Sequence, residues 1–277
     1  MNIKNNLIIA KYFSLFISVI LVSCAIQKNE NKELKKTELY IIGTVHETTN
    51  FENSDTLINI LNKIKPNVVL IELDSSFFTN KFDFDIQKYP DILRTNENNA
   101  TYTYKKSHKI DIRPFDISGR NEFYKKTNFF TTQSKMFSEI SALYDKGKLN
   151  ECSKNNFDLI GFTLNLTNGV KYNSLKELNS LPAQKLTELR QKIVYDKTIE
   201  IVKSNNSLKK WIKFAELQKD YWIKRNTKMV ENINEIAKRY DKKKIVIFVG
   251  ANHKYFIMNI LKTQRKNNFI IKDYFNE

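Results

Sequence analysis

The sequence predicts an α/β fold: a mixed, largely parallel central sheet built from both chain ends, flanked by helices, with a large helical insertion between them. Three observations predict it. Short continuous apolar runs recur near both ends (LYIIG at 39–43, VVLIEL at 68–73, KIVIFV at 244–249), the pattern of strands buried on both faces. A stretch with helical spacing separates the first two, and strand, helix, strand within so short a span is a βαβ unit with a parallel pair and a right-handed crossover. Finally, 6 Gly and 4 Pro in 277 residues are too few for a turn-rich all-β chain, while the length suits one α/β domain.

The elements follow in order. After the strand at 39–43, residues 54–65 place Leu57, Ile60, Leu61 and Ile64 on one helical face, with Ser54 as a candidate N-cap and Pro66 as the stop. The strand at 68–73 comes next, and KIDIRPF at 109–115 alternates like a third. Residues 119–240 read as the helical insertion, with an aromatic-rich helix contained within 120–146, another at 183–203, and a long pattern at 207–240 broken once. The strand at 244–249 leads into a helix at 253–265 with Phe256, Ile257, Ile260 and Leu261 on one face, then a last strand at 269–271.

Ahead of the domain, Lys4 and Lys11 precede an apolar stretch over 12–22, shorter than the roughly 20 residues a membrane span needs. The Leu21-Val22-Ser23-Cys24 that follows resembles a bacterial lipobox. That resemblance implies a signal peptide at 1–23, a lipid on Cys24 that holds the chain to a bilayer, and an extracytoplasmic place in the cell envelope. The polar stretch 24–37 reads as the lipidated Cys with its tether, and 38–277 as a single domain. Cys152 is the only other cysteine, so no internal disulfide is expected; it lies in a polar, loop-like stretch and reads as an inert thiol. The net charge of +16 comes from scattered Lys, and its densest run, 242–244, has no interleaved aromatics. A solvated basic surface, or one facing lipid headgroups, is expected rather than a nucleic-acid site.

The chemistry concentrates in one repeated pattern. Gly43-Thr44-Val45-His46 and Gly250-Ala251-Asn252-His253 each follow an apolar strand, and they contain two of the three His and two of the six Gly in the chain. Ligands in parallel α/β sheets bind beyond the carboxyl ends of the strands. Two imidazoles brought to that rim can hold a divalent metal, or serve as a base and an orienting group. Glu72, at the end of a buried strand, needs a partner or a metal. Arg225 shares an apolar helical stripe with Met229, Ile233 and Ile236, so it points inward or to the stripe's edge. Glu72 is its first-choice partner; alternatively it stabilises charge on a substrate oxygen. Asp116 either reaches the rim or caps the helix near Gly119. Glu47 is a weaker candidate that can simply face solvent, and His108, in a Lys-rich segment, reads as a surface residue.

GTVHE at 43–47, VLIEL at 69–73, RNTKMVENI at 225–233 and VGANH at 249–253 together resemble the TraB/TIKI and erythromycin-esterase-like superfamily, which also includes the ChaN haem-binding lipoproteins. The resemblance implies hydrolysis of an amide or ester bond, in a peptide or a small-molecule ester. TIKI-like members are metal-dependent proteases, and erythromycin-esterase-like members open ester rings with a His and a Glu. Carried across, it implies His46, Glu72, Arg225 and His253 as catalytic positions, with Glu47, Asp116 and Asn226 secondary. His46, His253 and Glu72 would be ligands if a divalent Mn, Co or Zn takes part. Val230 departs from the Ala of many relatives, and the helical middle carries no signature. The alternative expectation is a non-catalytic lipoprotein that binds haem or another small molecule among its 13 Tyr and 19 Phe.

Overall fold

The computed structural model describes residues 35–264 and 268–276; the expected signal peptide, Cys24 and most of the tether lie outside the described residues. The strands are β1 (Thr37–Thr44), β2 (Val68–Ile71), β3 (Asp111–Pro114), β4 (Lys244–Gly250) and β5 (Phe269–Lys272). They form one sheet in the order β3-β2-β4-β1-β5, and every neighbouring pair is parallel. The expected α/β architecture therefore stands, and the sheet is parallel throughout among the described residues rather than mixed. The physical reason lies in the connections: each runs through a helix, which returns the chain to the same edge before the next strand begins.

Alternate side chains of each strand feed two separate cores. Tyr40, Ile42, Val69, Ile71, Val246 and Phe248 face α1 (Ser54–Ile64) and α2 (Asn96–Ser107). Their neighbours Leu39, Ile41, Val68, Leu70, Ile245 and Ile247 belong to the opposite core, with α8 (Ile212–Arg239) and α9 (Ala251–Thr263). The helix after β1 and the helix after β4 thus cover opposite faces of the sheet. β1 and β4 are adjacent, and their carboxyl ends flank a topological switch point, where a crevice opens in folds of this kind.

The insertion comprises α3 (Arg120–Lys126), α4 (Phe129–Asp145), α5 (Glu151–Gly169), α6 (Leu175–Leu178), α7 (Leu181–Ser204) and α8. It has a core of its own around Met136, Ile140, Ile160, Ile201, Val202 and Leu208. The amino-terminal part of α8 contributes Ala215 to that core, while its later turns put Met229, Val230 and Ile233 under the sheet. One long helix therefore ties insertion to sheet.

Several expectations are corrected in detail. Thr37, placed in the tether, is a fully buried strand residue whose hydroxyl donates to the Tyr240 carbonyl (3.1 Å). Asn53 rather than Ser54 caps α1, because its side-chain oxygen accepts the Thr56 N–H (2.9 Å). The stretch 120–146, expected to contain an aromatic-rich helix, holds two helices, parted where Asn128 takes a left-handed conformation (φ 47°). Cys152 stands exposed in the first turn of α5 rather than in a loop.

Candidate active site at the rim between β1 and β4

β1 and β4 pair with Gly43 opposite Val249 and Thr44 opposite Gly250, so the two Gly-x-x-His motifs leave adjacent strands at one edge. They converge there. A Cβ built on Gly250 would stand 3.3 Å from Glu72 Oε2, 3.5 Å from His46 Nε2 and 3.8 Å from His253 Cδ2. The backbone at Gly250 is ordinary (φ −52°, ψ 131°), so this glycine is required for space and not for conformation. The motifs nevertheless diverge in structure. His46 rides on a loop, whereas His253 lies in the first turn of α9.

The His46 loop is clamped to the start of α2. Asn96 donates its backbone N–H to the His46 carbonyl (3.2 Å) and its side-chain amide to the Glu47 carbonyl (2.9 Å). Glu97, the next residue, accepts from Thr44 Oγ1 (2.5 Å) and pairs through Oε1 with His46 Nδ1 (2.9 Å). Glu97 is buried, while the His46 side chain is 55% exposed with Nε2 turned toward Gly250. The hydrogen bond to Glu97 is the main reason the His46 pKa lies above its ordinary 6.5; burial opposes the rise, and the charges of Glu97 and Glu72 assist it. Glu52, wholly buried, accepts the Val45 N–H through both oxygens (3.0 and 3.2 Å). Burial pushes its carboxyl up to about 8, so it enters neutral solution protonated.

On the other side of Gly250, charges interlock. Glu72, immediately after β2, accepts Arg225 Nη2 on Oε1 (2.6 Å) and the Gly250 N–H on Oε2 (2.6 Å). Asp116 takes the rest of the Arg225 fork, with Oδ1 on Nε and Oδ2 on Nη2, both at 2.8 Å. Burial works against an ionised Glu72, but the Arg225 guanidinium and the Gly250 N–H prevail, holding its pKa below the usual carboxylate value. Asp116 does not cap the following helix. Gly119 occupies the N-cap position, and Asp116 accepts from Arg120 Nη1 (2.9 Å) and from the Ile117 N–H (2.8 Å).

His253 is fully enclosed. Asn226 fixes one ring nitrogen: its Nδ2 donates to the Trp222 carbonyl (2.8 Å), which leaves Oδ1 to accept Nδ1–H of His253 (2.8 Å). Nε2 is then a lone pair, and Arg225 Nη1 donates to it (3.2 Å). The Trp222 ring stacks on the imidazole with centroids 4.4 Å apart. Burial is the chief reason the His253 pKa falls to about 4, so the ring is neutral at physiological pH.

Of the residues expected from sequence, His46, Glu72, Asp116, Arg225, Asn226 and His253 are thus brought together. Glu47 is not. Its side chain is exposed and only its carbonyl takes part, because the loop turns outward after His46. His108 is exposed as expected, stacked on Tyr104. Glu97, Glu52 and Trp222 were missed; a Glu just inside the start of a polar helix was the one available signal, and it is common.

Two cavities meet at His46. One, of about 310 Å³, is lined by His46, Gly250, Asn252 and Arg190; the other, of about 180 Å³, by His46, Glu72, Glu97 and Arg120. A divalent metal shared by His46, His253 and Glu72 does not fit the arrangement. Arg225 already donates to His253 Nε2 and Glu72 Oε1, so a dication would have to displace a guanidinium locked to Asp116. Among the described residues no three His, Cys, Asp or Glu side chains are grouped to hold a metal. Searches of protein-family models, curated proteins and solved structures give no match to this chain.

Proposed function

We propose that this chain is a lipid-anchored hydrolase of the bacterial cell envelope that cleaves an ester or amide bond by general-base catalysis at His46. The observation that carries the reading is the His46–Glu97 pair. A buried carboxylate holds Nδ1–H, which orients the ring and raises its basicity, while Nε2 faces open cleft. This is the base and orienting group of a hydrolytic triad without a serine, so water is the nucleophile.

In the reaction, a water beside Gly250 gives a proton to His46 Nε2 as its oxygen adds to the substrate carbonyl. The imidazolium, stabilised by Glu97, then returns that proton to the leaving oxygen or nitrogen. Arg120, one side chain of the smaller cavity, keeps N–H groups beyond the one given to Asp116 and would donate to the developing oxyanion. Arg225, Glu72, Asn226 and His253 form the rigid floor that fixes Gly250 and hence the approach of water. Without a Lewis acid an ester is the better first substrate, since its carbonyl is more electrophilic and its leaving group departs more readily. The lipid anchor rests on the Leu-Val-Ser-Cys pattern ending at Cys24.

A panel of chromogenic acyl esters and peptide amides tests the reading. Ester turnover that falls at least 10²-fold in His46→Ala, at unchanged folding, is the expected result. Equal turnover in the two proteins would refute it.

A further inference from the structure

The residue after His253 opens a different part of the molecule. Lys254 is 6% exposed, and its ammonium donates to Asn179 Oδ1 (2.6 Å), an oxygen that also accepts the Gly43 N–H (2.6 Å). An ammonium carries three donors, and the other two have no partner among the described residues. No carboxylate lies within ion-pairing distance of it there. Asp273 lines the same cavity and acts on Lys254 only through its charge; its oxygens are held by its own turn through the Phe275 N–H (3.1 Å) and Asn276 Nδ2 (2.7 Å). A buried cation held by one neutral oxygen is costly unless a counter-ion joins it.

Lys254 lines a cavity of about 390 Å³ between the end of β5, α9 and the start of α7, together with Lys176, Lys262, Lys272 and Ser180. Lys176 and Lys262 are exposed and make no ion pair among the described residues. The cavity shares only Gln184 with the larger one at His46, so it is a separate space. From this geometry we infer a second binding site, for a small molecule or headgroup that presents a phosphate to Lys254, Lys176 and Lys262. Phosphate suits it better than a carboxylate. It brings close to two negative charges and three acceptor oxygens, enough for several ammonium groups that act as separate point charges. Burial holds the Lys254 pKa down at about 8, so the ammonium form still predominates at pH 7 and would gain from an anion.

The test is isothermal titration of the full chain at pH 7 with inorganic phosphate. One saturable site per chain is expected. Binding should weaken at least tenfold in the Lys176→Gln, Lys262→Gln double variant, whose exposed positions leave the fold intact, and vanish in Lys254→Met. Lys209→Gln, in the insertion, serves as the unchanged control. No saturable binding to the wild type, or equal binding by both variants, would overturn the site. Dihexanoyl phosphatidic acid, a lipid whose headgroup is a phosphomonoester, titrated below its micelle concentration, separates the sources. Tighter binding than phosphate marks a lipid headgroup, and equal or weaker binding marks a soluble phosphate ester.

Discussion

Replacing Arg225 by Met should destabilise the protein by an amount that depends on pH. The guanidinium makes four contacts: two to Asp116 at 2.8 Å, one to Glu72 at 2.6 Å and one to His253 at 3.2 Å. Met fills much of the same volume and removes them all. Asp116 keeps Arg120 and the Ile117 N–H, but Glu72 keeps only the Gly250 N–H, so the cost falls mainly on Glu72. Breaking a buried pair by deleting one partner costs about 3–5 kcal/mol; the surviving Arg120 contact puts the expectation near the lower end, about 3 kcal/mol at pH 7. In the wild type the Glu72 pKa is depressed, so its contribution is present above the unfolded value and is lost as pH falls through the folded one. Without Arg225, burial dominates and the carboxyl is driven toward its neutral form. The penalty should then shrink as pH falls from 7 toward 4.5, by at most about 1.4 kcal/mol per pH unit for one proton. Urea unfolding at pH 8, 7, 6 and 5 measures this, and the Glu72→Gln, Arg225→Met pair should recover part of the loss. A cost below about 1 kcal/mol, or one that is flat with pH, would refute the reasoning.

Two further predictions concern the reaction. Glu97→Gln removes the charge that raises the His46 pKa, so the acidic limb of the pH–rate profile should move to lower pH and the rate should fall roughly 10²-fold or more; an unmoved limb would show that Glu97 does not tune the base. Gly250→Ala is compatible with the backbone angles, but its Cβ would press on the fixed Glu72 Oε2 at 3.3 Å, so a loss of about 1–3 kcal/mol is expected in urea unfolding. Activity should also drop roughly tenfold or more, as the new Cβ crowds Glu72 Oε2 and His46 Nε2; full activity would show that water does not approach past Gly250.

The parts of the site legible in sequence were those in which a residue contradicts its surroundings. Glu72 ends a buried apolar strand and Arg225 interrupts an apolar stripe, so each demanded a partner, and they supply one another. The paired Gly-x-x-His motifs were legible because His and Gly are both scarce. Glu97 was not legible. Its helix, NENNATYTYKKS, buries Asn96, Glu97, Asn98 and Thr101 beside Ala100 and Tyr104, so the inward face is mostly polar and no apolar stripe announces a helix. The two cores were foreseeable from strand alternation, whereas the break at Asn128 was not, because helical spacing continues on either side of it.

The same motif yields two opposite imidazoles, and this asymmetry is itself measurable. His46 leaves β1 on a loop, meets a carboxylate through Nδ1 and keeps Nε2 in the cleft. His253 begins a helix, donates Nδ1–H to a neutral amide and faces a guanidinium with Nε2. Each ring has a carboxylate nearby, but on the half-exposed His46 the Glu97 bond prevails, whereas at His253 full burial, with Arg225 adding to it, outweighs the Glu72 oxygen 3.5 Å from Nε2. With three His in the chain, the long-range ¹H–¹⁵N spectrum of the imidazoles can be assigned by substitution. His46 should titrate with a midpoint above 6.5. His253 should remain in its Nδ1–H tautomer from pH 8 to below 5, since its pKa is near 4. A His253 that protonates between pH 6 and 7 could not accept from Arg225. In that event the floor of the site would have to rearrange, and the assignment of His46 as the only base would fall with it.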